Sequence, residues 1–360
     1  MTQFRRLRSA LLLSAPLAFL AMGVAQSAEK LKYFGYSGNE KSESYQPYFD
    51  KYGEVEFSIS GSSEEMKQKI VAGFPTDVVT PCVNHQYRMM ADNNYLLPID
   101  YSKIPNMKNV LPGMQKLDPY KAADGKSYYV PREHGSNVWV YLKDKFPKKP
   151  TTAVEFFDES HKDRIALLSP AEDIVWLGGH LAGVDTYQSE RFTPEQLEKF
   201  KQAFATMLSN SRLLISSSAE AVQALAGGEV DAIYTYNDGA SLMKKEGLDV
   251  VVQMDATEGY FAWQCGLGIP KNHTAPLDQI YDYINATLDT DAQAKLLRAN
   301  GMFVVDAGAY AQMSPEELDN LGLDTKDPTA AFANFSIHAP GNQENLDDLI
   351  KMWEALKAQR

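Results

Sequence analysis

SSSAEAVQALAGGEVDAIYTYND, residues 216–238, carries the pattern from which the fold class follows. Ser217 with Glu220 three places on is a helix-start signature, Val222 and Leu225 recur at helical spacing, and Gly227 with Gly228 ends the run. The apolar DAIYTY that follows at once reads as a strand. An earlier stretch, GSSEEMKQKIVAGFPTDVVTPC (61–82), repeats the plan: Ser62 and Glu65 open a helix, Met66, Ile70 and Val71 mark its buried face, Gly73 stops it, and TDVVTP is its strand. A helix leading directly into an apolar strand is α/β patterning, and open α/β sheets keep their ligands beyond the strand ends. Cys82 and Asn84 stand at one such end, and Tyr236, Asn237 and Asp238 at the other.

Two segments built alike suggest two lobes, and the length agrees: 360 residues are long for one hydrophobic core. SYYVPREHGSNVWVYL (127–142) reads as two strands around a polar insert. FTPEQLEKFKQAFATMLSN (192–210) is an amphipathic helix opened by Thr193. The apolar stretches near 130–140 and 258–265 are the natural crossing points. The expected division is 29–134 with 262–310 in one lobe and 135–261 with 311–360 in the other.

The N-terminus, MTQFRRLRSALLLSAPLAFLAMGVAQSAEK, has a basic start, a short apolar run and small residues, which is the pattern of a secretory signal peptide over 1–28, cleaved after Ser27 or Ala28. Arg5-Arg6 hints at twin-arginine export, but its surroundings fit the ordinary secretory route better. With no cysteine near the cleavage region, no lipid anchor is expected, and the mature chain is expected to be a periplasmic, soluble monomer. The net charge of −12 disfavours nucleic acid and favours solubility or a cationic ligand.

Catalytic constellations are thin. No nucleophile elbow, phosphate-binding glycine loop or zinc-protease helix motif occurs. His85, His134, His161, His180, His273 and His338 show no metal-ligand spacing, so neither a metal site nor a cofactor is expected. Cys82 with His85 could form a nucleophile and base, yet the second cysteine, Cys265, stands in a similar strand-end context. What the strand ends do offer is aromatic residues interleaved with acids. Aromatic faces attract desolvated cations, and carboxylates supply the matching charge. Trp139, Trp176 and Trp353, inside apolar runs, read as core. Tyr36, Tyr236 and Trp263, beside Gly, Asn or Ser, read as ligand walls. Glu133, Glu172, Asp173 and Asp238 are the candidate acids, although Glu172 and Asp173 equally suit the start of a helix dipole.

The order of YFGYSGN (33–39), TDVVTPC (76–82), YYVPREHG (128–135), LLSPAED (167–173), GEVDAIYTYND (228–238), FAWQCGLGIP (261–270) and LKAQR (356–360) resembles the periplasmic spermidine/putrescine-binding proteins of ABC transporters. The resemblance implies a two-lobed α/β clamp with ligand in the inter-lobe cleft, a small organic cation as ligand, an inner-membrane permease as partner, and no enzymatic activity. By position it implies Tyr36 as a stacking wall with Ser37 beside it, Asn84 where the family often has a tyrosine, Glu172 and Asp173 near its acidic pair, Tyr236 and Asp238 as wall and acid, and Trp263 as a stacking tryptophan. Cys82 replaces a common serine, and Cys265 replaces the aspartate that usually pairs with an amine. The paired change implies a Cys82–Cys265 disulfide. Losing that anchor keeps polyamines as the leading ligand class and admits a quaternary or other small amine; a periplasmic thiol enzyme is the remaining alternative.

Overall fold

The computed structural model describes residues 30–82, 85–115, 121–323, 325–332 and 342–360; the signal-peptide segment and Asn84 lie outside the described residues. Strands β1 (Lys32–Gly35), β2 (Glu56–Ile59) and β3 (Val78–Val79) form a parallel sheet in the order β2-β1-β3. A short strand β4 (Leu96–Leu97) follows. The larger sheet uses β5 (Val130–Leu142), β6 (Ile165–Leu168), β7 (Ser211–Ile215), β8 (Ala232–Tyr236), β9 (Val250–Gln253) and β10 (Phe261–Leu267). Its path is β10-β5-β8-β6-β7, with β9 also on β5. β11 (Ile269–Pro270) pairs with β4, and β12 (Phe303–Val304) joins β5.

The two repeated segments fold alike, for the reason their sequences suggest. Ser62 caps helix Ser63–Val71 by accepting from Glu65 N at 3.1 Å, and Ser217 caps helix Ser218–Ala226 by accepting from Glu220 N at 3.2 Å. Each glutamate reaches back past the cap to a free backbone N–H: Glu65 Oε2 accepts from Gly61 N at 2.7 Å and Glu220 Oε2 from Ser216 N at 2.6 Å. Met66 and Ile70 are buried, but Val71 is 43% exposed. Five residues beyond Met66 turn it off the buried stripe, since each helical residue rotates about 100°.

Two separate sets of core side chains result. Leu31, Tyr33, Val78, Val130, Leu267 and Tyr283 share one, beside a smaller cluster around Phe34 and Ile70. Val138, Trp139, Leu167, Trp176, Ile233, Leu349 and Trp353 share the other. β5 begins in the first core with Val130 and ends in the second with Val138–Tyr141; its antiparallel partner β10 runs back from Phe261, packed on the second, to Leu267 in the first. These two strands therefore carry the chain between the cores.

The structure corrects two expectations. Residues 127–142 contain one 13-residue strand and not two strands around an insert, because the polar side chains of PREHGSN are buried against internal neighbours, even though Arg132 Nε and Nη2 and His134 Nε2 make no hydrogen bond among the described residues. Arg132 Nη1 donates to Glu133 Oε2 at 2.8 Å and to Asn39 Oδ1, the His134 ring packs on Phe303 and Phe332, and Asn137 bonds Asp173. The extra residue is absorbed by a bulge opposite Cys265 and Gly266. Residues 311–332 also depart from the expected second lobe. Met313, Leu318, Leu321, Leu323 and Phe332 are buried in the core of Leu31 and Tyr33, whereas Leu346, Leu349 and Trp353 pack in the other. Phe332 is drawn there by the rings of His134, Phe303 and Tyr310.

Candidate functional site

β8 ends at Tyr236, and helix Asn237–Lys245 starts at the next residue. Beside it, after β6, helix Ala171–Ala182 opens with Glu172 and Asp173 in its first turn, where the helix dipole favours negative charge. Pro170 provides no side-chain cap, so these acids are the polar groups at that end. Tyr236 donates its hydroxyl to Asp173 Oδ2 at 2.7 Å, and Asn137 Nδ2 donates to Asp173 Oδ1 at 3.0 Å. Asn137 in turn accepts from the Trp263 indole N–H at 3.2 Å. Tryptophan, amide, carboxylate and phenol thus form one chain of hydrogen bonds across β10, β5, the helix start and β8.

Burial pushes the Asp173 carboxyl above its usual range, although the bonds from Tyr236 and Asn137 pull the other way. Asp238 behaves alike: burial raises it against the hydrogen bond it accepts from Ser218 Oγ at 2.7 Å. No cationic side chain among the described residues pairs with either acid. The Tyr236 hydroxyl, raised well above its ordinary value by burial, lies within electrostatic range of Asp173, Asp238 and Tyr36. Tyr36 comes from the other core, at the end of β1, and bonds Ser63 Oγ at 2.9 Å. Its own hydroxyl is raised by burial, with Glu172 and Asp173 adding to the effect, so the two strand-end clusters face each other.

Trp263 meets Tyr236 edge to face, with ring centroids 6.5 Å apart. Room for the indole comes from Gly135 on the paired strand: a Cβ there would fall 2.2 Å from Trp263 Cζ2 and 2.6 Å from Asn237 Oδ1. Two residues beyond Trp263, Cys265 is disulfide-bonded to Cys82, 183 residues away in sequence. This ties β10 to the segment after β3. Both sulfurs are in the bond, so neither is a nucleophile for His85.

Of the residues expected at the site, Tyr36, Glu172, Asp173, Tyr236, Asp238 and Trp263 come together. Ser37 is exposed beside Tyr36. Glu133 does not reach the cluster as a ligand acid: it is 3% exposed and held by the buried Arg132, because the strand that carries it is covered on both faces. Asn137 and Gly135 were missed, although both lie inside a stretch singled out for other reasons; Asn237, placed by its sequence at the strand end, donates from its side chain to Gly301 O at 3.4 Å and accepts from Ser136 N at 3.0 Å. Tyr187 was also missed; it lies within electrostatic range of Asp173 and Glu172, stacked 6.5 Å from Phe261. Its only signal is an aromatic residue in a polar loop. Trp139 and Trp353 are buried as core, and Trp176 is 4% exposed. Among the described residues no group of His, Cys, Asp and Glu could hold a metal ion, and no helix is long and apolar enough to cross a membrane.

Two strand-end clusters facing each other across a pair of crossing strands are the layout of a ligand-closing clamp, and residues 43–320 match the family of bacterial extracellular solute-binding proteins. The chain belongs to that family. A solute-binding protein holds its ligand without transforming it, in keeping with cysteines that are both bonded. No curated protein sequence matches this solute-binding protein. Solved structures show its fold. A putative spermidine/putrescine ABC transporter protein from Listeria monocytogenes is 21% identical, with TM-score 0.78 over 92% of this chain and 100% of that one. The spermidine/putrescine substrate-binding protein PotD from Streptococcus pneumoniae, solved with calcium and HEPES, is 20% identical, with TM-score 0.72 over 92% and 100%. A GABA receptor is 18% identical, with TM-score 0.68 over 92% and 98%. At these identities the likeness establishes the mixed α/β binding-protein fold, and the ligand must be argued from the side chains.

Proposed function

We propose that this solute-binding protein captures a small organic cation in the cleft between its two cores and delivers it to an inner-membrane ABC permease, working in the periplasm. The observation that carries this is the pair of part-buried carboxylates, Asp173 and Asp238, raised by desolvation, with no cationic partner among the described residues and walled by Tyr36, Tyr236 and Trp263. A buried carboxylate without a counter-charge is costly, and a ligand ammonium supplies that charge while the rings supply cation–π contact. The division into lobes that this requires places 30–134 and 262–332 on one side and 138–254 with 342–360 on the other, following the cores.

Polyamines of the spermidine and putrescine type are the leading class, since Asp173 and Asp238 can each meet one ammonium. A second reading, a quaternary or other small amine, is favoured by one observation: Cys265 is locked in a disulfide where the resemblance has an acidic anchor. A thermal-shift screen with spermidine, putrescine, choline and glycine betaine separates the two. Stabilisation by diamines above choline supports the first, the reverse order supports the second, and no stabilisation by any amine removes both.

A further inference from the structure

Residues 298–322 run on from helix Thr290–Asn300 and belong to the core of Leu31 and Tyr33, where Phe303, Leu318 and Leu321 are buried. They nonetheless lie along helix Asn237–Lys245, whose Ala240 and Met243 are buried in the core of Trp139. Lys244 Nζ donates to Asp319 O at 2.6 Å, and Lys245 Nζ to Arg298 O at 3.3 Å. Gly301 ends its helix at a φ of +68° and approaches so closely that a Cβ on it would lie 2.9 Å from Ser241 Cβ and 3.8 Å from Asp238 Cα. The first core therefore bears on the helix that starts at the cleft, and it does so away from the crossing strands. We propose that Asn237 is a positioning residue of the cleft, whose amide lets the first core fix where Tyr236 and Asp238 stand.

The amide is placed for that role. Asn237 is 5% exposed and opens its helix one residue past the end of β8. The ladder between β5 and β8 stops at the pair Asn137 and Tyr236, because the backbone turns into the helix there. The next N–H of β5, that of Ser136, is taken by the Asn237 side chain, so Oδ1 continues the ladder by one step. Nδ2 then reaches Gly301 O in the first core. A backbone N–H only donates and a backbone carbonyl only accepts, so these partners fix which way the amide faces. Both of its ends are engaged inside the protein, which leaves Asn237 holding its chain neighbours and not the ligand. Those neighbours are the phenol of Tyr236 and the carboxylate of Asp238, and any shift of the first core at Gly301 is passed to the residue between them.

This role rests on the cation reading of the cleft, and the experiment separates the two. Hydrogen exchange of the ligand-free protein is followed by mass spectrometry over 133–137 and 298–303, and spermidine is titrated by calorimetry at neutral pH. Asn237→Asp keeps an oxygen for the Ser136 N–H, loses the donor to Gly301 O and adds a negative charge beside Asp238. It is expected to speed exchange at 298–303 and not at 133–137, and to bind spermidine about three- to tenfold more weakly despite the added charge. Asn237→Ala loses both bonds and is expected to speed exchange at both segments and to weaken binding about tenfold or more.

Unchanged exchange at 298–303 in both variants would overturn the proposal, whether or not the wild type binds an amine. Tighter spermidine binding in Asn237→Asp would overturn it too, by showing that the site responds to charge alone. Faster exchange spread evenly over both cores would reduce Asn237 to a general stabiliser and has the same consequence. Absence of binding heat with wild-type protein overturns the cation reading instead, while faster exchange confined to 133–137 and 298–303 in Asn237→Ala would still support the tie at Asn237.

Discussion

Tyr236 donates its hydroxyl to Asp173 Oδ2 at 2.7 Å, so the aromatic wall and the acid of the cleft are one unit. Removing the phenol in Tyr236→Phe leaves Asp173 with Asn137 and takes away a bond that favours its charged form. The Asp173 carboxyl, already raised, then rises further. A bound ammonium lowers it, so binding releases a proton in the interval between its bound and free values. Amine affinity is therefore highest above the free value and falls as pH drops through it. Tyr236→Phe is expected to weaken amine binding about three- to tenfold, around 1 kcal/mol, and to move that loss to higher pH. Calorimetric titrations over a pH series check both. A variant with the wild-type affinity and pH profile would show that the phenol does not tune the acid.

Gly135→Ala tests the seat of the tryptophan. The new methyl would fall on the Trp263 ring and on Asn237 Oδ1, and the bulky backbone-facing indole must leave its place. Amine affinity is expected to drop as far as in Trp263→Ala, at least tenfold, since a desolvated cation–π contact is worth about 1–2 kcal/mol and buried ring area adds to it. Circular dichroism should show the fold kept. Retained affinity in Gly135→Ala alongside a loss in Trp263→Ala would place the indole elsewhere.

How much of this was legible beforehand depends on the range of the interaction. The capped helices at Ser62 and Ser217 are local, and spacing reveals them. The cleft's walls and acids stand at strand ends, where pattern and resemblance together point to Tyr36, Asp173, Tyr236 and Trp263. What escaped was long-range pairing. PREHGSN looks like an insert because its polar residues find partners only through folding: Arg132 with Asn39, 93 residues away, and Asn137 with Asp173, 36 away. Glu133 looked like a ligand acid for the same reason. The neighbouring Arg132 is visible in sequence, but its burial is not.

His134 makes stability acid-sensitive. Burial between Phe303 and Phe332 lowers its pKa from 6.5 to about 3. The unfolded chain then binds a proton that the folded one refuses. The neutral ring's contribution is therefore whole above about pH 6.5 and is lost progressively as pH falls toward 3. Urea melts from pH 7 to pH 4 are expected to show His134→Phe flatter than wild type. Parallel curves for the two proteins would mean that His134 is not the titrating group.

The Cys82–Cys265 bond closes a loop of 183 residues. Chain entropy allows about 5 kcal/mol for such a loop, as an upper value. Reduction, or Cys82→Ala with Cys265→Ala, is expected to lower the melting temperature by several degrees while leaving amine affinity within about threefold, because neither sulfur is needed as a ligand. Mass spectrometry after alkylation of unreduced, denatured protein should find no modified cysteine. Two modified cysteines would contradict the bond.

The most direct measurement of the central claim, that the cleft holds an organic cation on Asp173, is calorimetric titration of wild type and Asp173→Asn with spermidine and putrescine at neutral pH. The substitution keeps the size and one acceptor oxygen for Tyr236 while removing the charge and the acceptor that Asn137 Nδ2 uses. Saturable binding in wild type, weakened at least tenfold in Asp173→Asn, about 1.4 kcal/mol, is the expected result. Equal affinity in the two proteins, or no amine bound by wild type, would contradict it.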